Sequence, residues 1–248
     1  MQVQNVKSSQ ITSVQSKKTA SKRSDKSSHV PNAENKVKAA AIAGSAVGII
    51  ATVAMILSKS KKLDPKITLA SLKYHEKQVI GMGAASVTGG LIGGLLADKT
   101  KNNKAKIRES IQQFGGNILI PVSLLAMNTK LLDKSGFTIP VKESASKLRN
   151  IFNGALKGLP LVVVTVASLV GGMKIGNVIF NKINNKIFKD NEKREQKASD
   201  YSAHIDDLCM TASLLPIGEV VNKVTTKLLP FTFLIAGYEA GTSEAKEA

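Results

Sequence analysis

The stretch "AAAIAGSAVGIIATVAMIL", residues 39–57, runs for nineteen positions without a charge, with Lys38 before it and Lys59, Lys61 and Lys62 after it. A hydrocarbon layer of ~30 Å takes about 20 helical residues to cross. A helix that is apolar on every face has no watery side, so this segment restricts the chain to two solutions, a buried core helix or a membrane span. Lysines closing both ends favour the span. The pattern recurs. Apolar blocks follow at 79–97, 117–132, 159–180, 208–221 and 228–241, separated by lysine-rich stretches instead of being threaded at helix or strand period among polar residues. The blocks 39–57, 79–97 and 159–180 are long enough to cross. The block 117–132 is short and contains Asn128 and Lys130, and the last two have fourteen residues each, joined by "NKVTTK". These three read as short tilted helices, re-entrant segments or helices buried among the others. The expected fold is therefore all-α, a multi-pass transmembrane helix bundle of about four to six spans over residues 38–241, with a short C-terminal tail at 242–248.

Glycines mark how such helices would meet. In "ASVTGGLIGG", residues 85–94, Ala85, Gly89 and Gly93 fall on one line four residues apart, and Ser86, Gly90 and Gly94 on the next. On a helix the two lines make one smooth stripe along which a neighbouring backbone approaches closely. Ala40, Gly44 and Gly48 give the first block a similar stripe, and Gly172 and Gly176 mark the fourth. These three helices are expected to touch one another or copies of themselves. A phosphate-binding loop is excluded: no Gly-x-x-x-x-Gly-Lys-Ser/Thr occurs, and "GMGAAS" at 81–86 lacks both the third glycine and the preceding strand of the dinucleotide fingerprint.

"ASLVGGMKIG" at 167–176 matches "ASVTGGLIGG" at half its positions, and the likeness continues from "DKTKNNK" to "NKINNKI" and from "PVSLLA" to "TASLLP". The unit 85–132 thus reads as duplicated in 167–223, a doubled helical hairpin of the kind found in polytopic proteins.

Residues 1–37 are rich in Ser, Gln, Asn and Lys and have no periodic apolar face, so they are expected to be a disordered basic tail. With about forty residues before the first apolar block, a cleaved signal peptide does not fit. The charge of +17, from 35 Lys+Arg against 18 Asp+Glu, points to a polyanion. Only four of those cations are arginine, and three Tyr, seven Phe and no Trp offer little for base stacking, so anionic lipid is expected and nucleic acid is not. Two connecting stretches suit the headgroup plane or, equally, serve as solvated helical connectors packed on the bundle. In "KAKIRESIQQF", Ile107, Ile111 and Phe114 fall four and three apart beside Lys104, Lys106 and Arg108, and in "ESASKLRNIFNGALKG", Leu148, Phe152 and Ala155 repeat the spacing. In "LDPKITLASLKYHEKQ", Asp64 and Pro65 suit the N-cap and first position of a helix that could run on into the second span.

Charges inside the blocks are the candidate functional groups. Lys174 lies two-thirds along the fourth block, and Glu219 and Lys223 sit four apart on the fifth. An unpaired charge at the bilayer centre costs about 3 kcal/mol, so these groups should pair, snorkel or face the bundle, with Glu219 the partner expected for Lys174 and Lys130 expected to snorkel. "HIDDLC", residues 204–209, mixes ligand types with no second cluster, and a single Cys209 excludes an intramolecular disulfide, so no metal and no cofactor are expected. No catalytic constellation is legible, and an enzyme is not expected. Two functions remain. One is a structural or interaction protein of the bilayer that forms a homo-oligomer, or binds a membrane partner, through its glycine stripes. The alternative is a small transporter or channel with Lys174 and Glu219 in its pathway. The Lys/Arg count over the tail and loops favours a cytoplasmic N-terminal tail.

Overall fold

A computed structural model describes residues 31–68, 72, 74–99, 102–141, 146–205 and 218–244, with side chains left aside at 31–33, 147, 148, 151 and 218–229. Among the described residues the chain is all helical. Six α-helices are present: α1 (Pro31–Leu63), α2 (Glu76–Ala97), α3 (Asn103–Ile111), α4 (Ile120–Ser135), α5 (Lys147–Phe188) and α6 (Gly218–Thr242). An eight-residue π-helix, Gln112–Leu119, joins α3 to α4 without a break, and a 3-10 helix, Ala198–His204, follows α5. Three segments, Glu34–Leu63, Glu76–Ala97 and Phe152–Phe188, are long and apolar enough to cross a membrane.

Local chemistry sets the boundaries. Residues 31–37, assigned from sequence to the tail, belong to α1, whose first turn Glu34 ties to Lys38. Residues 1–30 lie outside the description. The helix expected to begin at Pro65 does not form. Proline disfavours helical backbone at Asp64, and the Asp64 side chain accepts from Lys66 N–H (3.0 Å) while its carbonyl accepts from Ile67 N–H (3.1 Å), closing a single turn. Helix α2 starts eleven positions later, where Gln78 Oε1 takes the His75 N–H at 2.9 Å. Helix α4 ends on Gly136, whose φ of 60° is open to glycine without a Cβ penalty.

Two sub-assemblies make the bundle. Helices α1 and α2 run antiparallel, with Gly44 against Gly89, Gly48 against Ala85 and Gly93 against Ala40. Helix α6 lies parallel to α2, with Gly90 against Gly237 and Gly94 against Gly241. A Cβ at any of these six α1 and α2 glycines would fall inside the facing backbone carbonyl. The close approach lets Ser45 reach Ser86 Oγ (2.6 Å), and Ser86 in turn donates to the Phe233 carbonyl (2.6 Å), so hydroxyls join three helices across the seam. The second sub-assembly pairs the α3–π–α4 rod antiparallel with α5. Gly176 meets the Gly116 backbone, Gly172 meets Pro121, and Asn128 Nδ2 donates to Ser168 Oγ at 2.9 Å.

Candidate functional site

Pro121 has no N–H to offer the Asn117 carbonyl one turn back. That carbonyl is taken instead by His204 Nε2 at 2.6 Å, so the imidazole carries its proton on Nε2. The wide π-turn before Pro121 is lined by buried Gln112, Gln113 and Asn117, and its glycines admit α5: a Cβ at Gly115 would overlap the Phe180 ring. Wide turns of this kind recur at functional sites.

From this turn a buried polar chain leads to one end of the bundle. Asn117 Nδ2 donates to Gln113 Oε1 (3.1 Å), and Gln113 Nε2 donates to Glu109 (2.9 Å), to Asp200 (3.1 Å) and to Glu239. Arg194, on the segment after α5, forks into the same acids. Its guanidinium reaches Glu109 through Nε (2.9 Å) and Nη2 (2.6 Å), and Asp200 through Nη1 (2.6 Å) and Nη2 (2.5 Å), with Glu239 at 3.6 Å. The side chains of Arg194, Glu109 and Asp200 are 8%, 7% and 0% exposed, so this is an ionic centre inside the protein. Burial pulls the Arg194 pKa down, but the hydrogen bonds to Asp200 and Glu109 outweigh it and hold the guanidinium above its ordinary value. One oxygen each from Glu109, Asp200 and Glu239 lies within 4.8 Å of the others. These oxygens already converge on two donors, Arg194 and Gln113. Three carboxylates therefore share one buried guanidinium, with Lys197 Nζ 4.0 Å from Glu109 at the edge.

A buried pair and a half-buried one flank the centre. Lys106, 1% exposed, meets Asp98 at 2.7 Å and donates to the Ser243 carbonyl at 3.0 Å. Arg108, 8% exposed, meets Asp190 at 2.7 Å and also donates to Asn185. Hydrogen bonds from Lys104 and then Arg108 lower the Asp190 carboxyl to about 2. These contacts turn α3 the opposite way from the sequence reading: its charged side chains Lys106, Arg108 and Glu109 are buried, and Ile107 is exposed. Of the spaced residues Ile107, Ile111 and Phe114, only Ile107 is exposed, Ile111 is half-buried and Phe114 packs against the core, while acids brought from Asp98, Asp190 and Asp200 draw the charged face inward as well. Lys106 and Arg108 are thus taken up within the protein.

The sequence-selected residues divide. Gly44, Gly48, Ala85, Gly89 and Gly93 are brought together between α1 and α2, Gly90 and Gly94 face α6, and Gly172 and Gly176 face the rod. All of these contacts lie within one chain. The partner glycines of α6, Gly237 and Gly241, carry the same four-residue spacing and were available to the same reading. Lys174 is exposed on α5, and Lys130, 73% exposed, lies 3.8 Å from Glu76. The Glu219 and Lys223 side chains, together with Asp207 and Cys209 of "HIDDLC" and most of the block 208–221, lie outside the description. The ionic centre itself went unread, although the scarcity of arginine was a signal: two of the four, Arg108 and Arg194, are the buried forks.

No protein-family model, curated protein or solved structure matches the chain.

Proposed function

We propose that this chain is an integral, non-enzymatic membrane protein of structural or interaction type, with its apolar helix faces in acyl chains and anionic lipid headgroups at its rim. One observation carries the reading, the inverted polarity of the bundle. Large apolar side chains face outward along α1 and α5, as at Val47 (66% exposed), Ile50 (66%), Val163 (58%) and Val178 (56%), while Ser45, Ser86, Thr165, Ser168 and Asn184 are buried. In water that arrangement would expose an apolar surface far larger than soluble monomers carry; in hydrocarbon it is the favourable one.

The directions of the described elements support five crossings, by α1, α2, the α3–π–α4 rod, α5 and α6. The α3–π–α4 rod is about 50 Å long, ample for a ~30 Å core. His204 lies beside Asn117, in the rod's interior, whereas α6, extended back from its contacts with α2, opens near the α2 N-terminus. With Ala40 against Gly93 and Gly241 against Gly94, the described ends at 31 and 244 would share one side. Because the glycine stripes are occupied within the chain, self-association or a membrane partner would use other faces.

A second reading, a small transporter or channel, is favoured by the buried line from Arg194 through Gln113 and Asn117 to His204, since ionisable groups inside a membrane bundle mark ion and proton paths. It would run through the ionic centre and not past the exposed Lys174. Alkaline extraction of membranes from cells making the full chain tests the main reading. The protein is expected in the pellet, and recovery as a soluble monomer without detergent would overturn it.

A further inference from the structure

Three helix termini lie together at the end of the bundle opposite the ionic centre, and the start of α5 projects past them. The antiparallel register sets the α1 C-terminus beside the α2 N-terminus, the Lys130–Glu76 contact at 3.8 Å brings in the α4 C-terminus, and the α4–α5 register carries the start of α5 beyond the α4 end on the same side. Together they gather cations that sequence distributes over a hundred positions. Lys61, Lys62, Lys66, Lys77, Lys134 and Arg149 are all exposed here. The described acids at this end are Asp64, Glu76 and Asp133, and among the described residues only Lys130 has a carboxylate within 4.0 Å. The opposite end differs in kind. Lys38, Lys104, Lys106, Arg108, Arg194 and Lys197 each meet an acid there. Among the described residues Lys36, Lys99, Lys182, Lys186, Lys189 and Lys193 at the opposite end are exposed too, but they share that end with Asp98, Glu109, Asp190, Glu192, Glu195, Asp200 and Glu239, whereas the cations gathered here face only Asp64, Glu76 and Asp133.

The same end carries exposed apolar side chains set among the cations: Leu63 (89% exposed), Phe137 (61%) and Phe152 (63%). Aromatic and aliphatic groups beside ammonium groups are the arrangement that seats at the boundary between headgroups and acyl chains, apolar part down and charge at the phosphates.

Resting on the membrane reading above, we infer that this end is a docking surface for anionic phospholipid headgroups, with the ammonium and guanidinium groups holding phosphates and Leu63, Phe137 and Phe152 inserted beneath them. Cations near an anionic surface act through such contacts, and a single one changes lipid association by about fivefold. Nucleic acid is the other polyanion that would meet the charge, but it gives the three apolar side chains nothing to enter.

The test uses the full chain reconstituted in phosphatidylcholine vesicles, with trace spin-labelled phosphatidylglycerol or phosphatidylcholine reporting the lipid immobilised at the protein. Wild type is expected to prefer phosphatidylglycerol by about fivefold or more. The variant Lys61→Gln/Lys62→Gln/Lys134→Gln should bring the ratio close to one, while Lys182→Gln/Lys186→Gln/Lys193→Gln, at the other end, should leave it unchanged. Immobilised phosphatidylcholine with no phosphatidylglycerol preference, or equal loss in both variants, overturns the docking surface and leaves the membrane reading standing. Absence of any immobilised lipid overturns both. Binding of a random-sequence RNA that the first variant abolishes, without lipid preference, would assign the surface to nucleic acid and also overturn the proposal.

Discussion

Arg194 holds two carboxylates in forks and approaches a third, and the protein covers all but a small fraction of it. Removing a buried partner costs more than the pair contributes, because the groups left behind remain desolvated. Arg194→Gln is expected to destabilise the protein by about 3–5 kcal/mol, read from unfolding in mixed micelles. Arg194→Lys, which keeps the charge but loses the planar fork, should fall between. A loss no larger than that of an exposed lysine variant would show that the centre contributes little. Asp190 gives a pH prediction with a definite sign. Its carboxyl is lowered to about 2 by Lys104 and Arg108, so its contribution is fully present above the ordinary aspartate range near 3.8 and fades as the pH falls toward 2. Carbon-13 titration of that carboxyl should place its midpoint well below the ordinary aspartate value, and Arg108→Gln should raise it. Neither residue announced its role in sequence. The centre draws Glu109, Gln113, Arg194, Asp200 and Glu239 from three separate stretches, and spacing arguments connect only residues a turn or two apart.

Helix contacts were far more legible, because a stripe is a local property. The lines through Ala85 and Ser86 can be counted off a single helix, and they define two adjacent faces that meet α1 and α6 respectively. What periodicity does not give is which neighbour each face meets, and α3 shows the consequence. Its apolar stripe and its charged stripe were both correctly spaced, yet the charged one turned inward to distant acids. The turn at Asp64 and Pro65 was similarly undecided, since the same two residues open a helix or close an Asx turn. At this scale the glycines offer a paired test. Gly90→Ala would drive a methyl into the Gly237 backbone, whereas Gly81→Ala meets nothing within 4 Å. The first is expected to cost about 1–3 kcal/mol, and the second to gain up to about 1 kcal/mol from helix propensity. Equal effects in thermal unfolding would mean that α2 and α6 do not meet along this line.

Taken whole, the described part of the molecule buries small residues and paired charges around an apolar cluster that includes Met82, Ile118 and Phe233, and leaves many other large apolar side chains exposed. Three of its helices have the length and composition to cross a bilayer. Composition alone does not distinguish this from a soluble helical protein, since apolar residues fill the inside of one and coat the outside of the other. On the proposed reading the block pattern with lysine boundaries points to the second case, and the burial of Ser45 beside the exposure of Val47 agrees with it. Nitroxides attached at Val47, Ile50, Val163 and Val178 in the reconstituted protein, read for collision with oxygen and with a water-soluble nickel chelate, test it most directly. High oxygen and low nickel accessibility at all four positions is the expected result. Nickel accessibility equal to that of a label at Lys66 would place those faces in water and contradict it.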